Sequence, residues 1–200
     1  MKIIKLGEVT SIEVEKSKFL TYFYHVKSLD KAKHHQQQLR KEHPNANHHC
    51  LAVVIDDIHY ASDDGEPSNT AGQPMLQTLL GNQINEVCCI VVRYFGGTLL
   101  GRGGLIRAYG QAVSNGLNYQ TFYQYLEVIK VKINIDYNLM NIIETKIEPK
   151  ARITDRIYDQ QMIFKLDVYD QSLFDELIEM TNNQISIEIV DKEKQLIEIT

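Results

Sequence analysis

The sequence predicts an α+β chain of two domains, residues 1–125 and 126–200, the second a ferredoxin-like βαββαβ sandwich. Charge is unevenly spread. Residues 1–125 hold 12 Lys and Arg against 11 Asp and Glu, and residues 126–200 hold 9 against 15, so the parts stand near +1 and −6 within an overall −5. All seven histidines and all three cysteines lie in the first part. Beyond Phe122 the pattern becomes two strand-helix-strand halves in succession, the signature of the ferredoxin-like arrangement. At 200 residues the chain can bury two small cores.

The first part opens with β character over Ile3–Val14 and Phe19–His25, alternating in SIEVEK and rich in aromatics in FLTYFYHV. Ser28 to Glu42 has helical spacing, with Ala32 and Leu39 on a sparse apolar face, and Pro44 stops it. The run HHCLAVVID, 48–56, reads as a buried strand, followed by a polar loop. In SDDGEPSNTAGQP, Asp63–Gly65 supplies turn chemistry, and Thr70 or Asn69 is expected to cap a short helix over 74–80. In the second part, strands are expected at 127–137, 151–158, 162–169 and 185–190, and helices at 139–148 and 172–180. Residues 195–199 are expected to add an edge strand.

The segment VVRYFGGTLLGRGGLIRAYG, 91–110, carries the most chemistry. Five of the eleven glycines fall within nine residues, Gly96 to Gly104, between the apolar run 87–92 and a stretch in which Leu105, Ala108, Tyr109, Ala112 and Val113 share a helical face. This reads as strand, glycine loop, helix. Glycine serves where φ is positive or the backbone must pass close to another group, and the helix start offers unpaired N–H groups to an anion. Arg93, Arg102 and Arg107 add charge, and no Asp or Glu occurs from Val87 to Leu126. A phosphate is the expected visitor; a tight packing connection without a ligand is the other reading. No Gly-Lys-Ser/Thr follows, and the spacing is not GxGxxG, which excludes ATP or NAD by those routes.

Five acids, Asp56, Asp57, Asp63, Asp64 and Glu66, lie within eleven residues. They suit either a solvated turn whose acids pair with Arg93, Arg102 or Arg107, or a Mg²⁺ site beside a bound phosphate, with Asp63, Asp64 and Glu66 the acids to test. The histidines lack metal-ligand spacing, so no metal site is expected. Cys88 and Cys89 belong to a core strand. Only Cys50 is placed for catalysis, and on a strand His48, not His49, shares its side. Tyr94, Phe95 and Tyr109 offer rings that suit either the core or stacking on bases. An odd set of cysteines without CxxC spacing fits a reducing cytoplasm. No apolar run approaches the ~18 residues that span a bilayer. A pI near 5.8 confines any nucleic-acid contact to a local patch.

The pieces HPNANHHC, SDDGEPSNTAGQPML and VVRYFGGTLLGRGGLIRAY, in this order and spacing, resemble the IMPACT family of conserved proteins in its bacterial form. The resemblance covers nearly the whole chain. It implies a first domain of the ribosomal protein S5 domain 2-like fold followed by a ferredoxin-like domain, a pair also found at the end of elongation factor G, and eukaryotic relatives resemble regulators of translational control. Asp63, Asp64, Gly65, Glu66, Pro67, Thr70, Ala71, Gly72 and Pro74 match the family's acidic motif. Its glycine motif is matched by Arg93, Tyr94, Phe95, Gly96, Gly97, Leu100, Gly101, Gly103, Gly104, Arg107 and Tyr109. Asn69 stands where glycine is usual, Gln73 where a basic residue is common, and Arg102 where a small residue is typical.

The function expected is that of a non-catalytic, translation-linked cytoplasmic regulator that binds RNA or the ribosome, with no cofactor. Its anion site would be Arg93, Tyr94, Gly96, Gly97, Gly101, Arg102, Gly103, Gly104 and Arg107. The acidic second domain would meet a protein partner or solvent, and no membrane is involved. Two alternatives stay open: a Mg²⁺-dependent enzyme acting on a phosphorylated or nucleotide substrate through Asp63, Asp64 or Glu66, and a pure protein-interaction module.

Overall fold

Alternation along one apolar strand organises the first part of the chain. In the computed structural model, which describes residues 1–199, β7 (Val87–Tyr94) is the centre of a five-stranded antiparallel sheet. It lies between β3 (Ser17–His25) and β4 (His48–Ile55), with β2 (Thr10–Val14) and β5 (Ile58–Ser62) at the edges. Val87, Cys89 and Val91 face one layer, with Cys50, Ala52 and Val54 of β4. Cys88, Ile90 and Val92 face the other, with Leu51, Val53 and Ile55. A strand buried on both faces must be apolar throughout, which is why VCCIVV does not alternate.

Helix α1 (Leu29–Glu42) covers the second face through Ala32 and Leu39, and the Ser28 hydroxyl caps its start. The other face carries α2 (Gly72–Gly81) and α3 (Gly101–Leu117). Of α3, Leu105, Ala108, Tyr109, Ala112 and Val113 are buried, the helical face read from the sequence. The expected cap of α2 is corrected. The cap position is Ala71, and Asp63 acts from a distance: its Oδ1 accepts from the N–H of Ala71 and Gly72 and its Oδ2 from Asn69, at 2.8–2.9 Å. A carboxylate there satisfies several orphan donors at once and complements the helix dipole. The Thr70 hydroxyl instead donates to the Pro67 carbonyl.

Two further differences appear at the start. The chain opens with β1 (Lys2–Ile4), separate from β2, which pairs parallel with β6 (Ile84–Asn85) and antiparallel with Phe122 and Tyr123 at the start of β8 (Phe122–Ile135). The polar loop expected after β4 also contains the edge strand β5.

The fold class is therefore α+β in two compact units, residues 1–124 with 198 and 199, and 125–197. The second unit comprises most of β8, then α4 (Met140–Ile147), β9 (Ala151–Tyr158), β10 (Met162–Val168), α5 (Ser172–Met180) and β11 (Ser186–Glu198). β10 lies between β8 and β9, and β11 pairs with the other side of β8, the ferredoxin-like order. Ile129, Val131 and Ile133 of β8 join Phe164 and Leu166 of β10 under Ile143, Ile147, Leu173 and Leu177 of the two helices. The edge strand expected at 195–199 is the end of β11. Along its charged middle, Glu188 and Glu193 pair with Lys132 and Lys130 of β8.

Candidate functional site

Three sequence-distant pieces meet at one end of the first sheet, on the side covered by α2 and α3. β4 brings His48 and Cys50, β7 brings Arg93, and the segment between β5 and α2 brings Asp63, Asp64 and Glu66. Two separate arrangements result, a buried polar cluster and an open cleft beside it.

Glu66 is the hub of the cluster. Its Oε1 accepts from the Arg93 guanidinium at 2.6 Å and from the Tyr109 hydroxyl at 2.7 Å, with His48 Nε2 at 3.8 Å. The Glu66 and Arg93 side chains are 3% and 6% exposed, so this is a desolvated ion pair. The Tyr109 oxygen accepts in turn from the Cys50 thiol, whose proton is shared with the Asp63 carbonyl. Burial drives both the Cys50 thiol and the Tyr109 phenol well above their ordinary values, so both stay protonated. A neutral, fully engaged thiol is no nucleophile. The placement expected of Cys50 with His48 on one side holds, but the chemistry it would need does not.

The acids that would hold Mg²⁺ are committed elsewhere. Asp63 caps α2, and Asp64 binds Arg40 and accepts from the His49 N–H. Of the pairings expected for a structural turn, only Glu66 with Arg93 forms. Arg102 instead donates to the Ser68 carbonyl. Arg107 has no acidic partner among the described residues. No group of His, Cys, Asp and Glu with metal-binding geometry occurs among the described residues either.

Arg93 is therefore not a surface cation. One terminal nitrogen binds Glu66, the other binds the Ser17 hydroxyl at 3.2 Å, and the guanidinium lies 5.4 and 5.7 Å from the ring centres of Phe19 and Phe95. Its Nε–H is buried with no acceptor. Tyr94 leaves the site altogether, because the next residue on a strand faces the opposite side; its hydroxyl meets His43 Nδ1 at 2.8 Å. Tyr109 is wholly buried, which leaves Phe95, 44% exposed, as the one ring of the three that can meet a ligand.

The glycines act as local geometry requires. A Cβ on Gly96 would sit 2.0 Å from the Lys16 carbonyl carbon, because the chain passes directly over the β2–β3 turn. Gly101 has φ +65° at the first residue of α3. The helix has no side-chain cap and no acid in its first turn. Arg102 and Arg107 are both exposed on its first two turns. Between this helix start and the Glu66–Pro67 loop lies a cleft of about 450 Å³. Its walls are largely apolar, with Pro67, Phe95, Leu99, Leu100 and Leu105, and its polar groups include His48, Glu66, Arg93 and Arg102. On the other side of Leu99 and Leu100 a second cleft, about 440 Å³, has Arg107, Thr98, Gln111 and the carboxylate of Glu15 among its lining.

Ser17, Asn47 and the joining of Tyr109 to Glu66 carry no motif in the sequence. One signal was present: Arg93 continues the inward series Val87, Cys89, Val91, and an inward arginine requires an inward acid.

The family model of the Impact N-terminal domain matches residues 15–117. A Haemophilus influenzae protein named as an IMPACT family member is 35% identical over 196 residues, covering 94% of this chain and 95% of that one. This chain belongs to the IMPACT family. IMPACT family member YigZ of Escherichia coli is 40% identical over 148 residues, 71% of this chain and 72% of that protein. A solved structure titled as the crystal structure of an hypothetical protein covers 96% of this chain and 98% of its own, at 30% identity and a TM-score of 0.60. The matched residues 15–117 include every residue of the buried cluster and of the first cleft, and all of the second cleft except Val14. No described helix is long and apolar enough to cross a membrane.

Proposed function

We propose that this IMPACT family member is a non-catalytic binding protein of the translation system whose first unit contacts RNA, on the ribosome or apart from it, through Arg102, Arg107 and the start of α3. The observation that carries the reading is the pair of exposed arginines on the first two turns of a helix with neither a side-chain cap nor a first-turn acid. Uncapped N–H groups and the helix dipole attract phosphate oxygens there, and the arginines add bidentate donors. The absence of any acid over residues 87–126 keeps that surface attractive to a polyanion although the whole chain is acidic. Catalysis is not part of the reading, because Asp63, Asp64, Glu66 and Cys50 are engaged in holding the structure. The acidic second unit is assigned to a protein partner or to solvent, and the cytoplasm is the compartment that suits three unpaired thiols.

The test is co-sedimentation with ribosomal subunits across a salt series, wild type against Arg102→Ala/Arg107→Ala, with folding confirmed by circular dichroism. A few phosphate contacts give an affinity on the order of 10⁻⁴ to 10⁻⁶ M that weakens with salt. The double variant is expected to bind more weakly, with a salt slope reduced by roughly one per arginine lost. Absence of binding at low salt would sink the reading.

A further inference from the structure

We infer that the cleft between the Glu66–Pro67 loop and the start of α3 seats one unstacked nucleotide of a single-stranded RNA, with its base against Phe95 and its phosphate at the first turn of α3. This rests on the RNA reading above and names the element of RNA recognised.

The cleft volume, about 450 Å³, lies in the range of small-ligand sites, roughly 300–1,000 Å³. Its contents are ordered by charge. Glu66 lines the wall beside Arg93, so a phosphate driven deep would meet a carboxylate whose neutralising partner is already in place. The mouth is the opposite, with the uncapped α3 and Arg102. An occupant therefore places a neutral group inside and an anion at the rim.

The neutral group meets a largely apolar wall with a few polar groups set in it. Pro67, Phe95, Leu99, Leu100 and Leu105 offer apolar surface, and Asn47 and His48, the latter 22% exposed, stand among them. A nucleobase brings a planar face for the first and donors and acceptors on its edge for the second, which a purely aliphatic occupant lacks. Phe95 is prepared for stacking: Asn47 Oδ1 accepts from its backbone N–H at 2.8 Å, and Arg93 lies 5.7 Å from its ring centre. Inorganic phosphate would fill the rim and leave the apolar walls exposed. A base inside a duplex is stacked and paired and cannot enter.

The experiment compares a single-stranded RNA decamer with a duplex of the same length by fluorescence anisotropy at low salt, using wild type, Phe95→Ala, Phe95→Trp and Arg107→Ala. AMP, adenosine and inorganic phosphate are titrated in parallel, with the amide signals of residues 95 and 101–104 followed by NMR. The expected result is preference for the single strand, a loss of about 5- to 150-fold on Phe95→Ala from one base no longer stacked, and recovery with Phe95→Trp. Arg107→Ala should weaken both RNAs alike. Equal binding of single strand and duplex, untouched by Phe95→Ala, overturns the seat while the RNA reading stands. If neither RNA binds but AMP shifts those amides and phosphate alone does not, the seat holds for a free nucleotide and the RNA reading fails. No response to either RNA or AMP overturns both.

Discussion

Separating the charges of Glu66 and Arg93 should be among the most costly single changes in the first unit. Both side chains are at least 94% buried, with N and O 2.6 Å apart. Water is not available to replace a lost partner, so breaking the pair should remove about 3–5 kcal/mol. The two halves are not equivalent. In Glu66→Gln the arginine keeps the Ser17 hydroxyl at 3.2 Å and the faces of Phe19 and Phe95, and its positive charge stays uncompensated. In Arg93→Met the carboxylate keeps the Tyr109 hydroxyl and has His48 Nε2 at 3.8 Å, so the loss should fall at the lower end of that range. The double variant removes both charges and leaves the glutamine oxygen for Tyr109. It should therefore cost far less than the two singles together, giving a coupling of roughly 2 kcal/mol or more.

For a chain of this size 1 kcal/mol corresponds to about 2–4 °C, so Glu66→Gln should melt roughly 6–20 °C below wild type. Urea unfolding followed by circular dichroism gives the cycle. Amide exchange in β7 and in β10 reports the two units separately, and only β7 should lose protection. Single variants that each cost under about 1 kcal/mol and add without coupling would refute the view that the pair is desolvated and structural.

Gly96→Ala puts a methyl 2.0–2.3 Å from Lys16 and Ser17 backbone atoms and should cost about 3 kcal/mol or more, whereas Gly97→Ala meets open space at φ +86° and should cost about 1 kcal/mol; equal melting temperatures would contradict this. Asp63→Ala strips the acceptor from three N–H groups at the start of α2 and should cost about 2 kcal/mol, with faster exchange of the Ala71 and Gly72 amides as the local sign. Burial lowers His35 and His49 below the ordinary 6.5, so the unfolded chain binds protons the folded one refuses. Stability should be full above about 6.5 and fall as pH drops through that value toward the lowered folded ones. His35→Gln and His49→Gln should flatten the fall in urea midpoints between pH 7.5 and 5.5, and an unchanged slope would count against it.

What the sequence conceals here follows from how far apart the deciding contacts lie. The glycine loop and its flanking elements are legible because their signals are local: an apolar run, glycines, then 3.6-residue spacing over residues 105–113. The second unit is legible for the same reason, strand and helix periods alternating within a few residues. β5 is hidden because it is only five residues long, IHYAS, set between Asp56–Asp57 and Asp63–Asp64 and partly exposed at the sheet edge beside β4, so its apolar residues are too few to show a period. The site is hidden in a different way. Five acids in eleven residues give no rank among themselves, and Glu66 turns inward because its partners arrive from Arg93, 27 residues on, and Tyr109, 43 residues on. Two positions still carried the hint, since an arginine on the inward register of a buried strand and a tyrosine on the inward face of a helix both bring polar groups that must be satisfied. Followed through, that requirement divides the arginines of the glycine motif by kind. Arg93 is held in the core by Glu66 and Ser17. Arg102 and Arg107, which the core does not need, are the charges left for a ligand to meet.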